Sequence, residues 1–149
     1  MAQALNQFKQ TAERGQVAYL NCDSFKMSAV VDSSEAGTLK AGDAVKIVTT
    51  SKGIPHVAKV GNSDTACFGF VAFNAVKNDG IAAGDRIEVA FTGAFMYMEA
   101  SAAIQAGAAL DYAYATGKVA TANSGLGCGM AVEAAAADGD LIAVYIKTI

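Results

Sequence analysis

The chain has 149 residues, of which 53% are hydrophobic and only 17% charged, and its formal net charge is −3; an average soluble domain is about 25% charged. The length suits one domain with a sizeable core, and the acidic balance speaks against a nucleic-acid binder, which presents a basic patch or stripe. No stretch approaches the roughly 18 consecutive apolar residues of a membrane span.

Residues 1–15 are polar, with Leu5, Phe8 and Ala12 the apolar positions near one helical face. They read as an N-terminal arm or a short helix, and the arm, ordering on a partner, is the expectation because no cap precedes them. The first residues lack the basic and apolar regions of a signal peptide, so synthesis in the cytoplasm is expected. Cys22, Cys67 and Cys128 are widely spaced and odd in number, which favours buried thiols over a disulfide framework.

Residues 16–149 read as one β domain. Residues 16–20 and 27–31 are short strand candidates, and 32–37 a loop. Ala44 to Val48 alternates, 49–53 is a turn, and Pro55 to Val60 returns. Ala66 to Phe73 is the most apolar strand of the first half. Ile87, Val89 and Phe91 then face a core, while Arg86 and Glu88 face solvent or a neighbour. Further strands follow at 94–99, 108–112, 118–121, 130–133 and 141–147, and 124–129 forms a glycine-rich corner. About ten short strands with turn signals every eight to twelve residues predict an all-β fold, a small β-barrel or β-sandwich.

One phrase recurs. Ile81-Ala82-Ala83-Gly84-Asp85 opens a strand, Leu39-Lys40-Ala41-Gly42-Asp43 is a close copy, Gly139-Asp140 keeps the corner, and Gly107 keeps the glycine without the aspartate. Glycine permits a positive φ, and aspartate accepts hydrogen bonds from nearby backbone N–H groups. Gly42 matches Gly107, the Gly69-Phe70-Val71-Ala72 stretch matches Gly129-Met130-Ala131-Val132, and Gly84 matches Gly139. The pattern points to an internal duplication, with pseudo-repeats near 39–91 and 104–149.

Chemistry-bearing groups are sparse. His56 is the only histidine, and a pair with a cysteine is outweighed by a half-exposed strand histidine and buried thiols. No zinc-type spacing occurs. Gly125-Leu126-Gly127-Cys128-Gly129 lacks the following helix that a phosphate loop requires. Asp43, Asp85, Asp138 and Asp140 read as turn formers, since they do not cluster as in a calcium loop. No catalytic residue, cofactor or metal site is therefore expected. Phe95, Met96, Tyr97 and Met98 put large side chains on both faces of a strand, so they are either a central strand or an interface. With Leu5 and Phe8 they are the interface candidates.

The repeated Ala-Gly-Asp turns at Leu39 to Val48 and Ile81 to Phe91, with the strands from Phe68 and Gly129, resemble those of the small cement or decoration proteins of tailed-phage capsids. The similarity covers about residues 38–149. It implies a β-rich, often trimeric protein on the outside of an icosahedral head, where it clamps major capsid subunits. On that resemblance the expected partners are the major capsid protein and further copies of the chain, as a homotrimer, with neither nucleic acid nor membrane. The expected location is the virion surface. Another virion part in the tail or head completion, or a non-catalytic β-sandwich ligand-binding module, are the alternatives; the absence of tryptophan weighs against carbohydrate stacking.

Overall fold

The computed structural model describes residues 13–16, 25–74 and 76–148, which carry ten strands and no helix. These are β1 (Lys26–Val31), β2 (Ala44–Ser51), β3 (Ile54–Lys59), β4 (Gly69–Val71), β5 (Arg86–Ala90), β6 (Phe95–Glu99), β7 (Ala109–Ala113), β8 (Lys118–Thr121), β9 (Leu126–Ala131) and β10 (Leu141–Ile146). The first five close into a barrel in the order β1-β3-β2-β4-β5, and the last five form a sheet in the order β6-β10-β9-β7-β8. The chain is all-β, as its alternating polarity predicts.

The two sheets share one wiring. The order β3-β2-β4-β5-β1 in the first corresponds to β8-β7-β9-β10-β6 in the second, and matched hydrogen bonds tie the corners. The Gly42 N–H donates to the Val71 carbonyl as that of Gly107 donates to Ala131, both at 2.7 Å. The Gly84 N–H donates to Val31 as that of Gly139 donates to Ala100, both at 2.8 Å. The bridge Leu39–Ile81 has its counterpart in Ile104–Ala135. The sheets differ in closure. In the first, β1 runs parallel to β3 through Val30–His56 and Val31–Val57; in the second, the corresponding contact is a single parallel bridge, Ala100–Val119.

The repeated turn owes its shape to glycine in the left-handed region, with φ of 85°, 88°, 84° and 90° at Gly42, Gly84, Gly107 and Gly139. Asp43 and Asp85 each accept the backbone N–H three residues back, from Lys40 and Ala82, at 2.9 Å. Asp140 accepts those of Ala136 and Ala137. Asp138 departs from the expectation: it is exposed and pairs with Lys118 at 2.7 Å instead of shaping the turn.

Three sequence expectations change. The turn assigned to 49–53 shrinks to Lys52-Gly53, both at positive φ (52° and 78°), and a two-residue hairpin of that kind lets β2 run on to Ser51. The apolar stretch 66–73 is paired as strand only over Gly69–Val71. The glycine corner at 124–129 is largely strand, since β9 begins at Leu126. The reason lies in packing: a Cβ on Gly129 would sit 1.9 Å from the Tyr145 carbonyl oxygen, and one on Gly69 2.3 Å from that of Ala90. These matched glycines mark close backbone approach within a sheet. Of the strand candidate at 16–20 only Gln16 is described, and it is not in a strand; Cys22 lies outside the described residues.

Alternation sends Ala29, Val31, Val45, Val57, Val71, Ile87 and Val89 into the barrel interior, joined by Leu39 and Ile81 from the corners. A second, larger core takes Met96, Met98, Leu110, Tyr112, Val119, Cys128, Ile142, Val144 and Ile146 from the second sheet, and Ala44, Val60, Cys67, Phe70 and Ala90 from the outside of the barrel. Each large aliphatic side chain so enclosed contributes about 1.5–3 kcal/mol. The barrel wall is thus itself part of the second core.

Candidate interface

The lead into the fold, Glu13–Gln16, is held between the two sheets. Arg14 donates through Nη1 to the Ala41 carbonyl at 2.6 Å, and through Nη2 to those of Gly42 and Gly117 and to Asp43 Oδ1 at 2.8–3.0 Å. Gly42 precedes β2 and Gly117 lies between β7 and β8, so one guanidinium spans both sheets. Asp43 is only 1% exposed; besides Arg14 and Lys40 it has Lys59 Nζ at 3.4 Å. A buried carboxylate needs such pairing, because unpaired it is costly. Gly15 donates to the Tyr97 carbonyl at 2.8 Å, and Tyr97 donates to that of Gln16 at 2.7 Å. Sequence reasoning passed over Arg14; the one available signal was the scarcity of arginine, which occurs only here and at Arg86.

Of the interface candidates, Leu5 and Phe8 lie outside the described residues. The four on β6 divide. Met96 and Met98 point into the second core and are fully buried, which removes them from any surface; alternation on a sheet with one enclosed face requires it. Phe95 and Tyr97 lie on the outer face, half-buried. β6 ends the strand order instead of lying at its centre. Phe95 opposes Tyr145 with ring centroids 5.2 Å apart, Tyr145 opposes Met130, and Met130 opposes Ala109. The result is an apolar row across four strands of the outer wall, with Met130 43% exposed.

A second apolar area lies at one mouth of the barrel. Phe25, Met27 and Ile47 continue the inward-facing positions of their strands, yet they are 45%, 36% and 47% exposed. Phe68 and Phe91 fill the opening, stacked at 6.3 Å, and Phe25 meets Phe91 edge-on at 6.2 Å. Exposed apolar clusters of this kind mark interaction sites more than single exposed residues do.

The polar groups are engaged locally. His56 Nδ1 lies 3.6 Å from Asp32 Oδ2, and hydrogen bonds from Ser34 hold the Asp32 carboxyl below the usual range. Burial pushes the Cys67 thiol up to about 12 and raises that of Cys128, so neither supplies a thiolate nucleophile. The N–H groups of Asn123 and Gly125 donate to Asp111 Oδ2 at 2.6 and 2.7 Å, and a carboxylate stands where a phosphate loop would present free donors. A groove of about 540 Å³ between the two sheets is lined by Val60, Asp64, Asp111, Tyr112, Asn123 and Leu126, among others. Among the described residues no three His, Cys, Asp or Glu side chains are grouped to hold a metal ion, and no helix is long and apolar enough to cross a membrane.

Comparison with known proteins supplies a family. The phage cement protein family matches residues 29–146. A solved structure described as the N base of head fiber gp8.5 in bacteriophage phi29 matches with a TM-score of 0.51 and 17% identity, covering 82% of this chain and 94% of that one. At that identity the likeness is one of fold. No curated protein matches the sequence.

Proposed function

Because the chain belongs to the phage cement protein family, and is thereby a structural protein of the phage virion, we propose that it is a capsid decoration protein. It binds the outer surface of an icosahedral head and stabilises contacts between major capsid subunits. The observation that carries this is the family match across both sheets, residues 29–146. The fold shared with a head-fiber base supports a place on the head over one in the tail. The protein self-associates, as a homotrimer, after synthesis in the host cytoplasm, and performs no catalysis. Residues 13–149 act as one β unit, Arg14 and Gly15 being tied into it, and residues 1–12 as an anchoring arm.

The mechanism is avidity. A single apolar contact with a capsid subunit is modest, but a rigid body that reaches several subunits at once gains effective concentration with no new contact. Leu5 and Phe8 on the arm, and Phe95 and Tyr97 on the outer wall, supply apolar area for the shell. Ordering the arm costs about 1–2 kcal/mol per residue fixed, so burial of Leu5 and Phe8, at about 1.5–3 kcal/mol each, offsets the ordering of only a few residues around them, and hydrogen bonds to the shell must supply the rest. Purified protein mixed with empty shells of the cognate phage should co-sediment at a fixed stoichiometry and raise the temperature at which the shells open. Deleting residues 1–12 should abolish that binding and leave the fold intact. Failure of the full chain to bind shells would overturn the assignment.

A further inference from the structure

The outer wall of the barrel and the outer wall of the second sheet are the same surface built twice, and among the described residues only one of them is covered. On the barrel, Ala44 opposes Phe70 and Phe70 opposes Ala90. On the second sheet, Ala109 opposes Met130 and Met130 opposes Tyr145, at the corresponding register. Val60, whose N–H donates to the Ala44 carbonyl, corresponds to Ala122, whose N–H donates to that of Ala109. The barrel row is fully buried because it lies over the mouth of the second sheet. There Phe70 packs edge-on against Tyr112 at 5.4 Å, and the Ala44 N–H donates to the Tyr112 hydroxyl at 3.3 Å.

The mouths correspond as well. Met96, Tyr112, Cys128 and Ile146 line the covered mouth; Met27, Ile47, Phe68 and Phe91 hold the same register positions at the barrel mouth. The chain thus contains one wall seated on one mouth, and then a second wall and a second mouth of the same design that no other described residues cover. Both leftover surfaces are apolar: Met130 and Tyr145 on the wall, Phe25, Met27 and Ile47 at the mouth.

We infer that the chain associates head to tail with further copies of itself, the Ala109-Met130-Tyr145 wall of one copy covering the Met27-Ile47-Phe91 mouth of the next. The contact repeats between chains the one already made inside each chain, with Met130 over Ile47 where Phe70 lies over Tyr112. Such an interface is heterologous: it closes into a ring if the rotation between copies allows, and otherwise extends. The inference deepens the self-association in the proposed function by naming its two surfaces, and it stands independently of which shell the protein binds.

A heterologous contact has a signature that a twofold contact lacks. Met130→Arg spoils the wall and leaves the mouth; Ile47→Arg spoils the mouth and leaves the wall. By sizing chromatography with light scattering, the unaltered protein should run as an oligomer and each variant as a monomer. An equimolar mixture of the two should form a dimer that grows no further. As a check independent of these charges, Ile47→Cys and Met130→Cys variants in a Cys22→Ser background should form a disulfide-linked dimer under mild oxidation when mixed, and neither should do so alone. A monomeric unaltered protein, an unchanged mass in either Arg variant, no dimer in their mixture, or self-linking of Ile47→Cys would each overturn the inference. So would a monomer in which Ile47→Cys is shielded from a thiol reagent, since part of the same chain would then cover the mouth. A monomer that still binds shells would overturn head-to-tail assembly alone, whereas an oligomer that binds none would overturn the capsid assignment alone.

Discussion

The barrel and the second sheet have the same strand order and corner hydrogen bonds, yet they close differently. The barrel interior is filled by small and β-branched side chains, Ala29, Val31, Val45, Val57, Val71 and Val89, and two register pairs join β1 to β3. The corresponding interior of the second sheet carries Met98, Ala100, Leu110, Val119, Ala131 and Val144, with Met96 and Tyr112 at its mouth. Only the Ala100–Val119 bridge joins the edges of the second sheet. One wiring therefore supports a closed barrel and a sheet whose end strands meet at one bridge.

The comparison is broken most severely at Phe70. Phe70→Ala empties the joint between the two cores and should cost about 3–5 kcal/mol, whereas Met130→Ala at the matching position should change monomer stability by less than about 0.5 kcal/mol. Urea denaturation of the pair would show the contrast, and equal effects would mean the two walls are not equivalent. Next comes Arg14→Met, which removes the guanidinium shared by the two sheets and leaves Asp43 to Lys40 and Lys59. A loss of about 2–3 kcal/mol is expected from its charged hydrogen bonds, with hydrogen exchange accelerated first at Gly15 and Tyr97.

A smaller effect separates the sheets by pH. Hydrogen bonds from Ser34, Lys46 and Lys77 lower the carboxyl groups of Asp32, Asp64 and Asp85, all in the first half. Their stabilisation is complete above the unfolded carboxylate value of about 3.9 and is lost as pH falls through the lower folded values. Asp138 and Glu99 raise Lys118 in the second half, so its contribution is complete below the unfolded lysine value of about 10.4 and fades as pH rises through the higher folded one. Amide exchange should therefore loosen the barrel first in acid and the β8 region first in alkali; the reverse order would contradict these pairings. The smallest expected signal concerns the thiols. Cys67 and Cys128 should resist a thiol reagent at neutral pH until the protein unfolds, because both are buried.

Much of the strand pattern was legible because its determinants are local. Gly84-Asp85 states its own turn, and Ile87-Glu88-Val89 states which side faces inward. The joining of β1 to β3, and of the barrel wall to the second mouth, brings together residues far apart in the chain, and no short-range pattern encodes it. Gly129 misled because glycine serves a corner and a tight strand crossing equally well, and the Tyr145 carbonyl beside it marks the second. On β6, alternation predicted that two large residues would face each way, but which pair was enclosed depended on which face of the second sheet meets the barrel wall. Arg14 was hidden because its partners are three backbone carbonyls and a turn aspartate, none of which carries a sequence signature.

The backbone of Glu13–Gln16 has a consequence for any truncation. β6 pairs with β10 on one side, and on its other side Tyr97 is occupied by Gly15 and Gln16. This short segment acts as a guard on a strand edge that would otherwise accept a strand from any neighbouring molecule. A chain beginning at Glu13 lacks only the arm. One beginning after Gln16 loses the guard as well, and it should form fibrous aggregates whose failure to decorate shells would say nothing about the arm.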